Sequence, residues 1–263
     1  MATSSRNSRC RGAALALAAS VAILLWAQGA RAEFKVRSPI VDYREFEFEH
    51  NGDVTFDKPN SGLNNGQSYT NEIEYGVLPW WQPGIEGEWG ADPGGNLTYQ
   101  ATTFENLFQI TPQGEYWADL GFFAEYSHAA SRADADEITF GPLIQKETPD
   151  LLGLDLLHTA NLLISKQVGH DRNDATPVLF AWQTRWRLDP HFEPGLEYYG
   201  QFNPIESAAT VGDPQHRFGP VLVGLVNFYR YGKIKYELGY LFGLNRATEQ
   251  GAVRWRLEYE KPF

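Results

Sequence analysis

The stretch Val253–Phe263, VRWRLEYEKPF, decides the fold. Val253, Trp255, Leu257 and Tyr259 fall on one face of an extended chain, and Arg254, Arg256, Glu258 and Glu260 on the other. Period two, not 3.6, is the signature of a strand with two unlike environments. The same alternation recurs upstream. Val178, Phe180, Trp182, Thr184, Trp186 and Leu188 oppose Gln183, Arg185 and Arg187; Ile234, Tyr236, Leu238, Tyr240 and Phe242 oppose Lys235, Glu237 and Gly239. Ala118, Leu120, Phe122, Ala124 and Tyr126 alternate with Asp119, Gly121 and Glu125.

Extended along the chain, this reading predicts about twelve strands (ten to fourteen fit), each near the 9–11 residues that a tilted strand needs to cross a bilayer. They fall at 41–50, 68–77, 82–89, 97–109, 116–127, 137–146, 154–168, 177–188, 194–202, 217–227, 233–242 and 252–263. Pro83 and Gly84 weaken the third, and the leucine-rich Leu151–Ile164 also fits a helix. The connections alternate in length. Asn51–Gln67, Ala91–Asn96, His128–Asp136, Gly169–Thr176, Asn203–His216 and Gly243–Gly251 are long and rich in Asn, Asp and Gly. Those at Leu78–Trp81, Thr111–Glu115, Glu147–Gly153, Asp189–Glu193 and Asn227–Gly232 are generally shorter, and Trp80, Trp81, Tyr116, Trp117, Phe192, Phe228 and Tyr229 cluster beside them. Short periplasmic turns, long outer loops and aromatic girdles characterise transmembrane barrels. The expected fold is therefore all-β: a closed antiparallel transmembrane β-barrel over residues 33–263.

The N-terminus is read as a secretory signal peptide, residues 1–32. Arg6, Arg9 and Arg11 precede the apolar run Ala13–Leu25, and Ala30-Arg31-Ala32 supplies the small residues Ala30 and Ala32 of a cleavage site. That run is short beside the roughly 20 residues of a spanning helix. Cleavage would take away the single cysteine, Cys10, and with it any disulfide or thiolate metal site. The 263-residue chain holds 33 Asp+Glu against 22 Lys+Arg. Losing Arg6, Arg9, Arg11 and Arg31 deepens that acidic balance, which argues against nucleic acid as a partner. A mature chain of about 230 residues suits one large β domain.

The terminal Phe263 behind Tyr259, Leu257 and Trp255 resembles the C-terminal signature of Gram-negative outer-membrane β-barrels, with Lys261 and Pro262 as departures. The resemblance implies that the barrel-assembly machinery reads these four residues, and that lipid bilayer and lipopolysaccharide surround the product. Asn71–Gly76 (NEIEYG) before Trp80-Trp81, and the strand start Phe218-Gly219-Pro220, look like segments of the outer-membrane channel family of phenol-degradation operons. That likeness implies passage of small solutes.

Catalytic patterns are weak. His128-Ala129-Ala130-Ser131 lacks the His-x-Ser-Asn spacing of barrel hydrolases, and His170-Asp171 with Asp174 is an ordinary acidic loop. His50, His158, His191 and His216 are scattered, without metal-ligand spacing. No cofactor, no metal and no enzymatic activity are expected. The lumen is the candidate site. Its inward phase carries Glu45, Glu47, Glu49, Glu72, Glu74, Glu86, Glu88, Asp119 and Glu125 early, then Arg185, Arg187, Lys235, Glu237, Arg254, Arg256 and Glu258 late. Charges in a narrow tube pair or line water. Three readings follow: first a passive channel for small polar or aromatic solutes between an acidic and a basic wall, then a closed structural or assembly barrel, and last a barrel hydrolase. Closure should bring Arg254 and Arg256 against Glu45 and Glu47.

Overall fold

Alternation throughout the chain becomes twelve strands, each hydrogen-bonded to its sequence neighbours. The computed structural model describes residues 34–59, 61–170, 172, 175–202 and 214–263. The strands are β1 (Glu45–Phe56), β2 (Gln67–Tyr75), β3 (Trp81–Ala91), β4 (Thr98–Gln109), β5 (Asp119–Ala129) and β6 (Asp136–Leu151). β7 (Leu154–Val168), β8 (Val178–Trp186), β9 (Glu193–Phe202), β10 (His216–Asn227), β11 (Lys233–Gly243) and β12 (Gly251–Pro262) complete the order. Every pairing is antiparallel and the barrel closes between β1 and β12, in register from Glu45↔Pro262 to Phe56↔Gly251. Closure leaves no sheet edge, the condition for a spanning sheet in hydrocarbon.

Which face points out follows from burial. Phe48, Ile73, Ile85, Phe104, Phe122, Phe140, Leu162, Leu196, Phe218, Leu238 and Leu257 are exposed on the outside. Buried positions inside are dominated by Glu, Asp, Thr, Asn, Gln and Arg. That inverts a soluble protein and matches a barrel with an apolar belt and a polar interior. Outward rings cover strand glycines: Trp255 lies over Gly52, Tyr236 over Gly224 and Tyr240 over Gly251, where a Cβ would overlap the ring.

Leu151–Ile164 is strand, not helix. β6 and β7 join through Leu152-Gly153 alone, both at positive φ (56° and 80°), as a two-residue hairpin turn of the primed type requires. Connections at one end span 57–66, 92–97, 130–135, 169–177, 203–215 and 244–250. At the other end, 76–80, 152–153 and 228–232 are shorter and 187–192 equals the shortest of the first set, whereas 110–118 is long. That exception is an ordered loop, tied by Leu120 N–H to Thr111 Oγ1 (2.8 Å) and by Gly114 N–H to Asp119 Oδ1 (2.6 Å). Trp80, Tyr116, Trp117, Phe192, Phe228 and Tyr229 stand exposed at this short-turn end.

The first strand is the main departure from expectation. It runs over 45–56, not 41–50, so the Asn51–Gln67 loop shrinks to 57–66. The signal-peptide region and its Ala30 and Ala32, with Asp171, Asp174 and most of Asn203–His216, lie outside the described residues. His128 and Ala129, expected in a loop, end β5.

Residues Phe34–Asp42 form no strand with the wall. They run extended through the lumen, from Phe34 among Tyr199, Leu241 and Ala252 to Asp42, whose N–H donates to Gln82 Oε1 (3.1 Å). The sequence explains the seat. Phe34 and Val36 alternate with Lys35 and Arg37, so this strap shows one apolar and one cationic face. The apolar residues join Tyr199, Leu241 and Ala252, and Val41 joins Leu107, Phe123, Leu143 and Leu163.

Candidate functional site: the charged lumen

Alternation on β1–β5 places a row of carboxylates on the inner wall, and the strap's cations answer them. Lys35 Nζ pairs with Glu49 (2.6 Å) and with Glu72; Arg37 Nη2 reaches Glu105 (3.1 Å) and Glu125 (3.7 Å). Asn161 of β7 fixes the strap backbone from the opposite wall. Its Oδ1 accepts from Arg37 N–H (2.7 Å) and its Nδ2 donates to Arg37 O (2.8 Å). Val41 N–H donates to Gln109 Oε1 (2.8 Å), which holds the strap's far end.

The second half supplies the cations. Arg254 grips Glu197, with Nε–H to Oε1 at 2.7 Å and a second bond from Nη2, and also donates to Glu237 (2.9 Å). This fork-to-carboxylate geometry is the strong form of an ion pair. Arg256 donates to Glu237 and lies 3.7 Å from Glu49. The expected contact of Arg254 and Arg256 with Glu45 and Glu47 is not formed. The β1–β12 register sets Arg254 against Asp53 and Arg256 against Asn51, and puts Glu47 beside Glu260. Glu45 instead meets Lys233 (3.1 Å), and Lys235 meets Glu258 (3.1 Å), Asp42 (3.7 Å) and Glu260. Arg185 and Arg187 converge on one carboxylate, Glu193, at 3.2 and 2.7 Å; Glu147 is 3.9 Å from Arg187.

The other inward acids divide. Glu88 accepts from Thr103 and from Ser127 (3.1 Å), and Glu86 is buried beside them on β3. Asp119 faces inward but caps the 110–118 loop. Glu47 keeps a single hydrogen bond, from Gln82 Nε2 (3.2 Å), and Glu74 makes no ion pair among the described residues. Both line a cavity of about 430 Å³ beside the strap, whose lining draws on β1–β8, β11 and β12 and includes Arg185, Arg187, Lys235 and Arg256.

Sequence reasoning missed Lys35, Arg37, Glu105, Glu193, Glu197, Arg217, Glu249 and Glu260. Glu105 follows the inward phase of Ala101 and Thr103, and Glu193 and Glu197 that of Tyr199, so period two could have found them. Arg217 pairs with Glu249 (2.5 Å) under the long-loop end. Three carboxylate groups could reach one ion: Asp42/Glu45/Glu260, Glu47/Glu258/Glu260 and Glu72/Glu74/Glu105. Lys233 and Lys235 already meet the first two, and Lys35 the third.

The histidines lie outside this network. His158 points outward and bonds Thr184 Oγ1 (2.7 Å). His128 is exposed, bonded to Asp136 (2.9 Å), while Ser131 Oγ accepts from Ala133 N–H (3.1 Å). At the β8–β9 turn, hydrogen bonds from the His191 backbone and ring hold the Asp189 carboxyl below its ordinary range.

Comparison with solved structures now decides what this shape is. The translocator domain of autotransporter NalP from Neisseria meningitidis aligns over 96% of this chain and 98% of its own, with TM-score 0.50 and 12% identity. The chain folds as an outer-membrane β-barrel. Weaker matches are the outer membrane channel DcaP of Acinetobacter baumannii (TM-score 0.34, 8% identity, 87% and 99% covered) and OmpT, an outer membrane protein of Vibrio cholerae. The OmpT match, a loop-deletion mutant, has TM-score 0.29 and 9% identity, over 84% of this chain and 100% of that one. No family model and no curated protein matches, so these comparisons support the barrel class and not the narrower phenol-operon likeness. The expectation that the chain has no enzymatic activity is corrected here. The matches extend to OmpT, and a shared barrel at such low identity gives no ground for excluding catalysis.

Proposed function

We propose that this barrel is an outer-membrane channel for small polar or aromatic solutes, with a charge-lined lumen narrowed by the strap Phe34–Asp42. The carrying observation is the pair Glu47 and Glu74, which face the 430 Å³ cavity and make no ion pair among the described residues, while Lys35, Arg185, Arg187, Lys235 and Arg256 line the same space. A charged interior serving only stability pairs its carboxylates with cations or keeps them protonated, because an uncompensated buried charge is strongly destabilising. Carboxylates turned to a cavity call for water or solute instead. On this reading residues 1–32 are removed after Ala32, and the assembly machinery recognises Trp255, Leu257, Tyr259 and Phe263. Bilayer lipid and lipopolysaccharide then surround the belt. The aromatic part of the solute range rests on the resemblance to the phenol-degradation-operon channels.

A second reading, a barrel held shut for a structural role, is favoured by the strap's anchoring to β1, β2, β4, β5 and β7. Single-channel recording on the refolded protein separates them. Discrete conductance steps support the channel. Silence from both the wild type and a strap-loosened Lys35→Gln/Arg37→Gln variant refutes it.

A further inference from the structure

We infer that the seat of the strap is a binding track for an extended polypeptide with basic residues at positions i and i+2, a ligand class that rests on the channel reading above. Phe34–Asp42 is its tethered occupant, which such a peptide displaces. The barrel is complete without the strap. Every wall strand is paired on both sides and β1 closes on β12, so the departure of the strap breaks no ladder. Wall side chains hold the strap by its main chain. Asn161 bonds both the N–H and the C=O of Arg37, Arg256 donates to Val36 O (3.4 Å), and Gln109 and Gln82 accept from Val41 and Asp42 N–H. Those contacts suit any extended chain. Side-chain seats add the selection: Phe34 fills the Tyr199, Leu241 and Ala252 seat, Lys35 sits on Glu49 and Glu72, and Arg37 on Glu105 and Glu125.

The carboxylates set the condition for exchange. Glu72 and Glu105 are buried, and among the described residues their only ion pairs are with Lys35 and Arg37. A strap that left alone would abandon both carboxyls to burial unpaired or to protonation, and either is unfavourable. A neutral or acidic solute does not relieve that loss. A peptide with basic residues at i and i+2 does, because alternate side chains of an extended chain point to the same side. Displacement then replaces like contacts with like. The tether favours the strap, since an attached segment competes at an effective concentration on the order of millimolar. The 430 Å³ cavity beside the strap gives an entrant room before the strap has left.

The test is fluorescence anisotropy of three N-acetylated hexapeptides, labelled at the C-terminus, with the purified protein in detergent. They are Phe-Lys-Val-Arg-Ser-Pro, its isomer Phe-Val-Lys-Arg-Ser-Pro, which turns the two cations to opposite sides, and the neutral Phe-Gln-Val-Gln-Ser-Pro. Wild type is compared with Lys35→Gln/Arg37→Gln, whose strap is a weakened competitor. The alternating peptide should bind the variant at least tenfold tighter than it binds wild type, and at least tenfold tighter than either control binds the variant. Equal affinity of variant and wild type for the alternating peptide overturns the inference, because that peptide is not using the strap's seat. Equal binding of the three peptides overturns it too, as does no binding by a variant that keeps the heat-modifiable band. Lys35→Gln alone, which leaves Arg37 on Glu105, carries the same comparisons where the double variant does not assemble. Conductance measured separately keeps the readings apart. Protein that conducts but fails these comparisons sinks only the track, and protein that passes them yet stays silent in a bilayer sinks only the channel.

Discussion

Replacing Arg254 with Met should cost this barrel about 3–5 kcal/mol, the range for removing one partner of a buried ion pair. The structure puts the loss in that range. Arg254 is buried, and it supplies both close contacts to Glu197, which is 0% exposed and among the described residues otherwise keeps only a bond from Tyr199 Oη at 3.3 Å. Glu237 retains Arg256, so one carboxylate, not two, is left uncompensated. The compensated variant Arg254→Met/Glu197→Gln should return to within about 1–2 kcal/mol of wild type, since replacing a buried pair by neutral groups is often close to neutral. Urea titration of the refolded barrel, followed by tryptophan fluorescence and by the heat-modifiable gel shift, reads both. A single mutant that loses less than about 1 kcal/mol would behave as an exposed surface pair does and would refute the buried-clamp reasoning. A double mutant no better than the single would show that the loss comes from packing around the arginine stem, not from a stranded charge.

Trp182→Arg puts a cation on the outward phase of β8 and should cost about 2–4 kcal/mol near the bilayer midplane, whereas Gln183→Arg, facing the lumen, should fold nearly normally; equal folding yields would show the phase to be wrong. Gly219→Ala should abolish assembly, because its Cβ would lie 1.8 Å from the Tyr240 carbonyl oxygen. A folded, heat-modifiable Gly219→Ala protein would contradict that close approach. Lys35→Gln/Arg37→Gln frees Glu49, Glu72, Glu105 and Glu125 from the strap, so single-channel conductance should rise and the reversal potential in a salt gradient should move toward cation selectivity. An unchanged reversal potential would show that those carboxylates do not face the conducting path.

Strand phase was legible because lipid and lumen impose opposite demands on alternate residues, and a slip of one residue exchanges the faces. β7 illustrates the strength of the signal. Leu157 and Leu163 point inward and Leu156 and Leu162 outward, so leucine content alone suggested a helix. The two-residue turn at Leu152-Gly153 forces the hairpin. Register between distant strands is a different quantity. It depends on the stagger of the closed barrel, a property of all twelve strands together, and no local pattern reports it. That is why Arg254 was expected against Glu45 and Glu47 but sits against Asp53, using Glu197 and Glu237 as partners.

The strap was hidden for another reason. Phe34–Asp42 carries a strand's alternation, yet Pro39 lacks an N–H for a ladder, and the pattern gives no hint that the chain runs inside the tube and not within its wall. Reading 41–50 as the first strand merged the strap's end with β1. The charge balance held a usable clue. Every charged residue on the inward phase of β1–β5 is acidic, and so many carboxylates in a narrow lumen need cations from somewhere. Some come from β11 and β12 across the closure. Lys35 and Arg37, directly ahead of the first strand, are the others within reach of Glu49, Glu72 and Glu105. An unbalanced wall is thus evidence for an interior segment, and Lys35 and Arg37 are the residues through which this segment answers it.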